Sequence, residues 1–141
     1  MKTMPSVAVV DAGPLVAAAD RHEPSHERCI ATLMRSDLRL VIPTMVVAEA
    51  TYWIDRRLGA RAEAAFLRGL RQFDVEAPFP EDWVRIAQLV DQYADFSLGG
   101  TDASVIALAE RMRTNVIITL DRRHFGAVRP QHVDTLRLLP E

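Results

Sequence analysis

The chain is short of the residues on which several chemistries depend. Its 141 residues hold one cysteine, Cys29, and one lysine, Lys2. A lone cysteine excludes an internal disulfide and a cysteine-based zinc framework, and with no supporting histidine arrangement it reads as a small core residue. A lysine confined to position 2 leaves none later in the chain to serve a strand-end aspartate. No apolar run approaches the ~18 residues of a membrane span. Met1 to Val10 lacks the charged start and long apolar stretch of a signal peptide, so the cytoplasm is the expected compartment. Linkers, low-complexity tracts and internal repeats are missing too, and residues 1–141 are expected to form a single domain.

What is present suits a folded globule: 49% of residues are hydrophobic and the formal net charge is -2. Of the 17 basic residues all but Lys2 are arginine, whose planar fork matches phosphate better than a point charge does. The coding bias of a GC-rich genome produces the same skew.

Strand and helix signals alternate along the chain. Ser6 to Val10 is a valine-rich strand stopped by Asp11-Ala12-Gly13-Pro14, with Pro14 in the first turn of a helix reaching about Ala19. A second helix is expected from Pro24 to about Met34, then a strand from Arg39 to Ile42. Thr44 is placed to cap a helix from Met45 to about Arg57 that Gly59 closes. Helical spacing covers Ala60 to Phe73 and Pro80 to about Ala94, with a short strand near Asp74 to Glu76 between them. Thr101 to Met112 reads as a helix, Asn115 to Leu120 as a strand, Arg122 to Phe125 as a short turn or helix, and Thr135 to Leu139 as a last strand. Short apolar strands separated by helices predict an α/β fold, a three-layer sandwich with a short, mainly parallel central sheet.

Four carboxylates interrupt this apolar pattern. Asp11 and Asp121 follow the two clearest strands, at the edge where open parallel sheets bind ligands, although aspartate also simply begins turns. Glu49 has Met45, Val46, Tyr52 and Trp53 as its helical neighbours, which turns it inward unless an arginine from elsewhere pairs with it. Asp102 suits the first turn of a helix that Thr101 is placed to cap, yet it shares a face with Val105, Ile106 and Ala109 that should pack on the sheet. Four converging acids repel one another and raise their own pKa values unless a cation is bound. Oxygen donors without cysteine or histidine favour Mg²⁺ or Mn²⁺ over zinc.

The segments Val9-Val10-Asp11-Ala12-Gly13-Pro14-Leu15, Val47-Ala48-Glu49-Ala50, Leu98 to Ala109 (LGGTDASVIALA) and Ile118 to Phe125 (ITLDRRHF) resemble the PIN-domain ribonucleases, and within them the VapC-type toxins of bacterial toxin-antitoxin pairs. The likeness covers nearly the whole chain and keeps the order and spacing of all four acids. It implies that Asp11, Glu49, Asp102 and Asp121 form a catalytic metal site, with Asp11 and Asp102 the most direct ligands and Thr119 orienting a neighbour. Asp95 is a further acid nearby, for which a solvated loop is the favoured reading. The resemblance also implies hydrolysis of RNA to a 5′-phosphate and a 3′-hydroxyl, a small cognate antitoxin lying across the acidic groove, and a homodimer.

Arg122, Arg123, His124 and Arg129 follow Asp121, and Arg56, Arg57 and Arg61 follow the Glu49 helix; these arginines are candidates to hold RNA phosphates or are solvated surface charges. Trp53, Phe66 and Trp83 fall on helical apolar stripes and are expected in the core or at a dimer interface rather than as base-stacking platforms. His22-Glu23-Pro24-Ser25-His26 matches a zinc-protease motif in letters only, because Pro24 breaks the continuous helix it requires. Phosphoaspartate receivers and haloacid-dehalogenase-like phosphatases need the later lysine, and a dinucleotide fold needs a glycine-rich loop that Asp11-Ala12-Gly13-Pro14 does not supply. The remaining competitor is a non-catalytic RNA- or protein-binding module on the same fold. Retention of all four acids argues against it.

Overall fold

In the computed structural model, which describes residues 4–141, five strands form one sheet in the order β3-β2-β1-β4-β5, every pair parallel. The strands are β1 (Ser6–Val10), β2 (Leu38–Pro43), β3 (Asp74–Glu76), β4 (Val116–Ile118) and β5 (Arg137–Leu139). Seven helices flank them: α1 (Ala12–Ala19), α2 (His26–Leu33), α3 (Thr44–Leu58), α4 (Ala60–Gly69), α5 (Pro80–Gln92), α6 (Gly100–Arg111) and α7 (Arg122–Ala127). The expected three-layer α/β sandwich is therefore the architecture found.

Burial explains the layering. Ala8, Val9 and Val10 are wholly buried in succession, as are Val41 with Ile42 and Ile117 with Ile118. Consecutive strand residues point to opposite faces, so such runs need cover on both. Much of that cover comes from α6, in which Ala103 to Ala109 are all buried. Among the described residues no helix is long and apolar enough to cross a membrane.

The departures from expectation lie at element ends. Helix α3 begins at Thr44 itself behind Pro43, and α6 begins at Gly100 behind Gly99, so neither Thr44 nor Thr101 supplies a side-chain cap. Pro43 has the extended backbone a cap position needs and loses no N–H that the helix would use. Helix α2 starts at His26 rather than Pro24, because Glu23 and His26 donate backbone hydrogen bonds three residues back, to Asp20 and Glu23. The chain from Ala60 tightens to a 3₁₀ turn over Leu70–Gln72 before reaching Phe73. Strand β4 stops at Ile118 because the Thr119 hydroxyl accepts from the Asp121 N–H at 3.0 Å, turning the chain out of the sheet. Trp53 and Trp83 are 43% and 51% exposed, so of the two expected places, core or dimer interface, the core is excluded.

Strand order fixes the place of the site. From β1 the chain steps outward through β2 to β3, then returns to the other side of β1 for β4 and β5. The reversal lies between β1 and β4, and the loops leaving their C-terminal ends diverge there to open a crevice.

Candidate metal centre

Register brings the first two acids together. Val10 pairs with Ile118, so the residues that follow, Asp11 and Thr119, emerge side by side. The Asp11 N–H donates to the Ile118 carbonyl at 2.9 Å, and the Thr119 N–H donates to that of Leu139 at 2.8 Å. The Thr119 hydroxyl then donates to Asp11 Oδ2 at 2.7 Å while accepting from the Asp121 N–H. One buried threonine thus orients Asp11 and fixes the start of the Asp121 turn. Asp121 caps α7, its Oδ1 accepting from the His124 N–H at 2.9 Å.

Helices α3 and α6 carry the other two acids to the same crevice. Asp102 stands in the first turn of α6. Burial pushes its carboxyl up to about 6, helped by the negative charges of Asp11, Asp121 and Glu49 and opposed by His124. Burial likewise raises Glu49, with Asp11 adding to the shift. Asp11 is raised by burial against the lowering effect of the Thr119 hydroxyl and the Ala12 N–H, with Asp121 raising it further. These mutual effects put all four acids in one electrostatic neighbourhood.

Asp11 is only 5% exposed and its Oδ1 has no hydrogen-bond partner. A buried carboxylate oxygen without a donor carries its desolvation cost uncompensated. The unmet oxygen, the raised pKa values and the carboxylate donors together fit a hard divalent cation. Among the described residues Asp102, Asp121 and His124 form a group able to hold a metal ion, each with an atom within 4.8 Å of the others; Asp11 and Glu49 stand outside that group and are linked to it by charge and by the crevice they share.

His124 is the participant that the sequence analysis placed only among the residues trailing Asp121. Its Nδ1 lies 2.8 Å from Asp121 Oδ2 and its Nε2 lies 3.0 Å from the Phe96 carbonyl. Both partners are acceptors, so each ring nitrogen faces an oxygen to which its N–H can donate, and the ring is held in place between Asp121 and the Phe96 carbonyl. The expected donor set was oxygen only; the structure adds a histidine in direct contact with one of the four acids. The clue in the sequence was the three-residue spacing from a helix-capping aspartate, which returns a side chain to the cap.

The other named residues are distributed over several elements. Asp95 is exposed on the 3₁₀ turn Ala94–Phe96, in keeping with a solvated loop. Arg122 donates to the Pro140 carbonyl at 2.6 Å and is tied to the last strand's exit. The guanidinium groups of Arg56 and Arg123 lie over the rings of Tyr52 and Phe96, at 5.7 and 5.0 Å. Arg129 and Arg61 are exposed, and Arg57 contacts Asp20 and Glu23. His22 precedes α2 and His26 opens it, so no single helix carries both; the His26 ring sits 2.8 Å from the Ala17 carbonyl.

The family model described as "PIN domain" matches residues 8–129. Ribonuclease VapC26 of Mycobacterium tuberculosis is 37% identical over 124 residues, 86% of this chain and 92% of that protein. Among solved structures, VapC20 of Mycobacterium tuberculosis, a sarcin-ricin loop cleaving toxin, superposes with a TM-score of 0.79 at 17% identity, covering 91% of this chain and 98% of that one. VapBC2 from Rickettsia felis, bound to a DNA fragment from its promoter, gives 0.66 at 15% identity, covering 94% and 98%. FitAcB from Neisseria gonorrhoeae gives 0.59 at 17% identity, covering 93% and 96%.

Proposed function

The chain belongs to the PIN-domain family, and from that premise we propose that residues 1–141 form a single nuclease domain, a cytoplasmic, Mg²⁺- or Mn²⁺-dependent endoribonuclease acting as the toxin of a toxin-antitoxin pair. The observation that carries this reading is the unpartnered, buried Asp11 Oδ1 inside a cluster of four mutually destabilising acids. A charge arrangement that costs the empty fold stability makes physical sense where a cation offsets it. The named ribonuclease relative supports RNA as the substrate.

Asp11, Glu49, Asp102 and Asp121 would hold the ion or ions. When bound, a divalent cation lowers the pKa of water and offsets charge on the phosphoryl group. The rest of the work falls to the chain. Thr119 holds Asp11 with one oxygen satisfied and the other left without a hydrogen-bond donor. His124 keeps Asp121 from turning away by bonding its second oxygen. Arg123, Arg129 and Arg56, all exposed, would hold backbone phosphates beside the acids, and Arg122 would join them on release from Pro140.

The resemblance to VapC-type toxins supports two partners: a small antitoxin whose C-terminal segment covers the acids, and a second copy of the chain. Exposed Tyr52, Leu67 and Val84 supply apolar surface for such contacts.

Wild type, Asp11→Asn and Asp102→Asn are to be compared on structured RNAs with Mg²⁺, Mn²⁺ or EDTA. Loss of cleavage by more than about 100-fold in each variant, and its abolition by EDTA, is the expected result. Cleavage that survives both substitutions or chelation would overturn the metal mechanism. RNA binding with no cleavage under any condition would favour the non-catalytic module.

A further inference from the structure

Beside the acids, sharing only Glu49 with them, lies a cavity of about 280 Å³. Its lining includes Ala12, Gly13 and Leu120, together with Glu49, Trp53 and Arg57. The last three are spaced four residues apart on α3, so they form one stripe with about 6 Å of helix rise between successive members. The stripe runs from an acid of the candidate metal centre to a large aromatic ring and on to a guanidinium. Trp53 is 43% exposed, and its ring meets that of Tyr52 edge-on at 5.1 Å. Arg57 lies 3.7 Å from Asp20 and 3.4 Å from Glu23, and both contacts fall on Nη1, leaving Nε and Nη2 as donors.

We propose that this cavity is a nucleobase subsite, in which Trp53 stacks on an unpaired base next to the scissile phosphate and Arg57 donates to the neighbouring phosphate. The assignment rests on the nuclease reading of the acids. Three features favour a nucleotide over a protein side chain as the occupant. Glu49 borders both cavity and acids, which puts the occupant next to the reacting phosphate. The sequence of acid, aromatic and cation along α3 follows that of phosphate, base and phosphate along an extended strand. The volume of about 280 Å³ is enough to admit a flat ring in a cavity that Trp53 lines. Stacking on an aromatic side chain, which every base can do, suits single-stranded RNA.

The test uses Trp53 as its own reporter. The chain has two tryptophans, so Trp83→Phe leaves one, and adding Asp102→Asn keeps bound RNA intact. This protein is titrated in Mg²⁺ with a single-stranded oligoribonucleotide, then with versions carrying an abasic residue at each position in turn. The expected result is quenching of Trp53 emission by the intact strand and its loss at one abasic position. In the otherwise wild-type enzyme, Trp53→Ala should raise KM roughly tenfold with kcat within about twofold, and Trp53→Phe should restore most of the loss. RNA cleavage by wild type with no abasic position affecting Trp53 emission would overturn the subsite while sparing the nuclease reading. Trp53→Ala that abolishes binding of a partner protein but leaves the RNA KM unchanged would overturn it too, making the cavity a protein-docking site. Position-specific quenching by a strand that wild type never cleaves would support the subsite and sink the nuclease reading.

Discussion

Helix α6 carries partly buried charge at both ends and treats it in opposite ways. At its C-terminal end Glu110 receives two hydrogen bonds from Arg85, at 2.8 and 2.9 Å, and one from the Gln131 N–H. Arg111 donates to Asp82 at 2.8 Å and to the Ala77 carbonyl, and its guanidinium lies 3.6 Å from the centre of the Phe79 ring. At its N-terminal end Asp102 faces three other acids, with only the braced His124 to offset them. One end joins α6 to α5 by matched charge; the other accumulates charge of one sign that the chain leaves largely uncompensated. Buried charge with partners belongs to the fold, and buried charge without them points to something the fold awaits.

The largest stability effect should come from breaking the matched end. Glu110→Ala leaves the Arg85 guanidinium, whose side chain is 16% exposed, without its carboxylate. A loss of about 3 kcal/mol is expected in urea unfolding, with the cleavage rate of the surviving folded protein unchanged. If cleavage fell in proportion, the two ends of the helix would not be independent.

At the unmatched end, Thr119→Val removes the hydroxyl that orients both Asp11 and the Asp121 turn. Activity should fall roughly 10- to 100-fold, with a higher Mg²⁺ requirement, because a group that orients ligands contributes about that much. A variant whose metal titration matched wild type would remove Thr119 from the metal centre.

Asp102→Asn should do the reverse of Glu110→Ala and stabilise the metal-free fold. The folded Asp102 holds its proton up to about 6, the free side chain only to 3.8. Between those values the folded state binds more protons, so the Asp102 contribution to stability falls as pH rises and the penalty is complete above about 6. The full shift corresponds to roughly 3 kcal/mol, reduced to about 1–2 kcal/mol by the group's partial exposure. In EDTA at pH 7 the variant should melt higher than wild type, at pH 4 the gap should close, and at pH 7 Mg²⁺ should narrow it. Equal melting at pH 7 in EDTA would show that Asp102 is not under electrostatic strain.

The smallest effect is assigned to the rim. Arg123→Gln and Arg129→Gln should each weaken RNA binding a few-fold and lower the slope of log affinity against log salt by roughly 0.7, as the loss of one phosphate contact to single-stranded RNA would. An unchanged slope would make these arginines plain surface charges.

The periodicity of the chain was legible wherever local chemistry dominates. Short apolar runs became β1 and β4, Pro14 fell in the first turn of α1, and Gly59 ended α3 at φ 89°, a left-handed backbone that glycine adopts without strain. Thr44 and Thr101 misled because a preceding proline or glycine took the cap position, a competition that residue preferences alone do not decide. For Trp53 and Trp83 the apolar stripe did not choose between core and interface, because it does not say whether another layer of the same chain will cover it. His124 was passed over because its partner, the Phe96 carbonyl, lies 28 residues away.

The sequence by itself therefore determined the four acids, their segments and the alternation of strand and helix that makes a parallel sheet. These follow from local propensity and from the cost of burying charge, both readable along a line. Tertiary structure alone decided that β1 and β4 are neighbours, with Val10 beside Ile118, which sets Thr119 against Asp11. It also left one buried oxygen of Asp11 without a partner and set a cavity lined by Trp53 next to Glu49. These depend on distances between residues far apart in the chain, and only the packing of helices on the sheet fixes such distances.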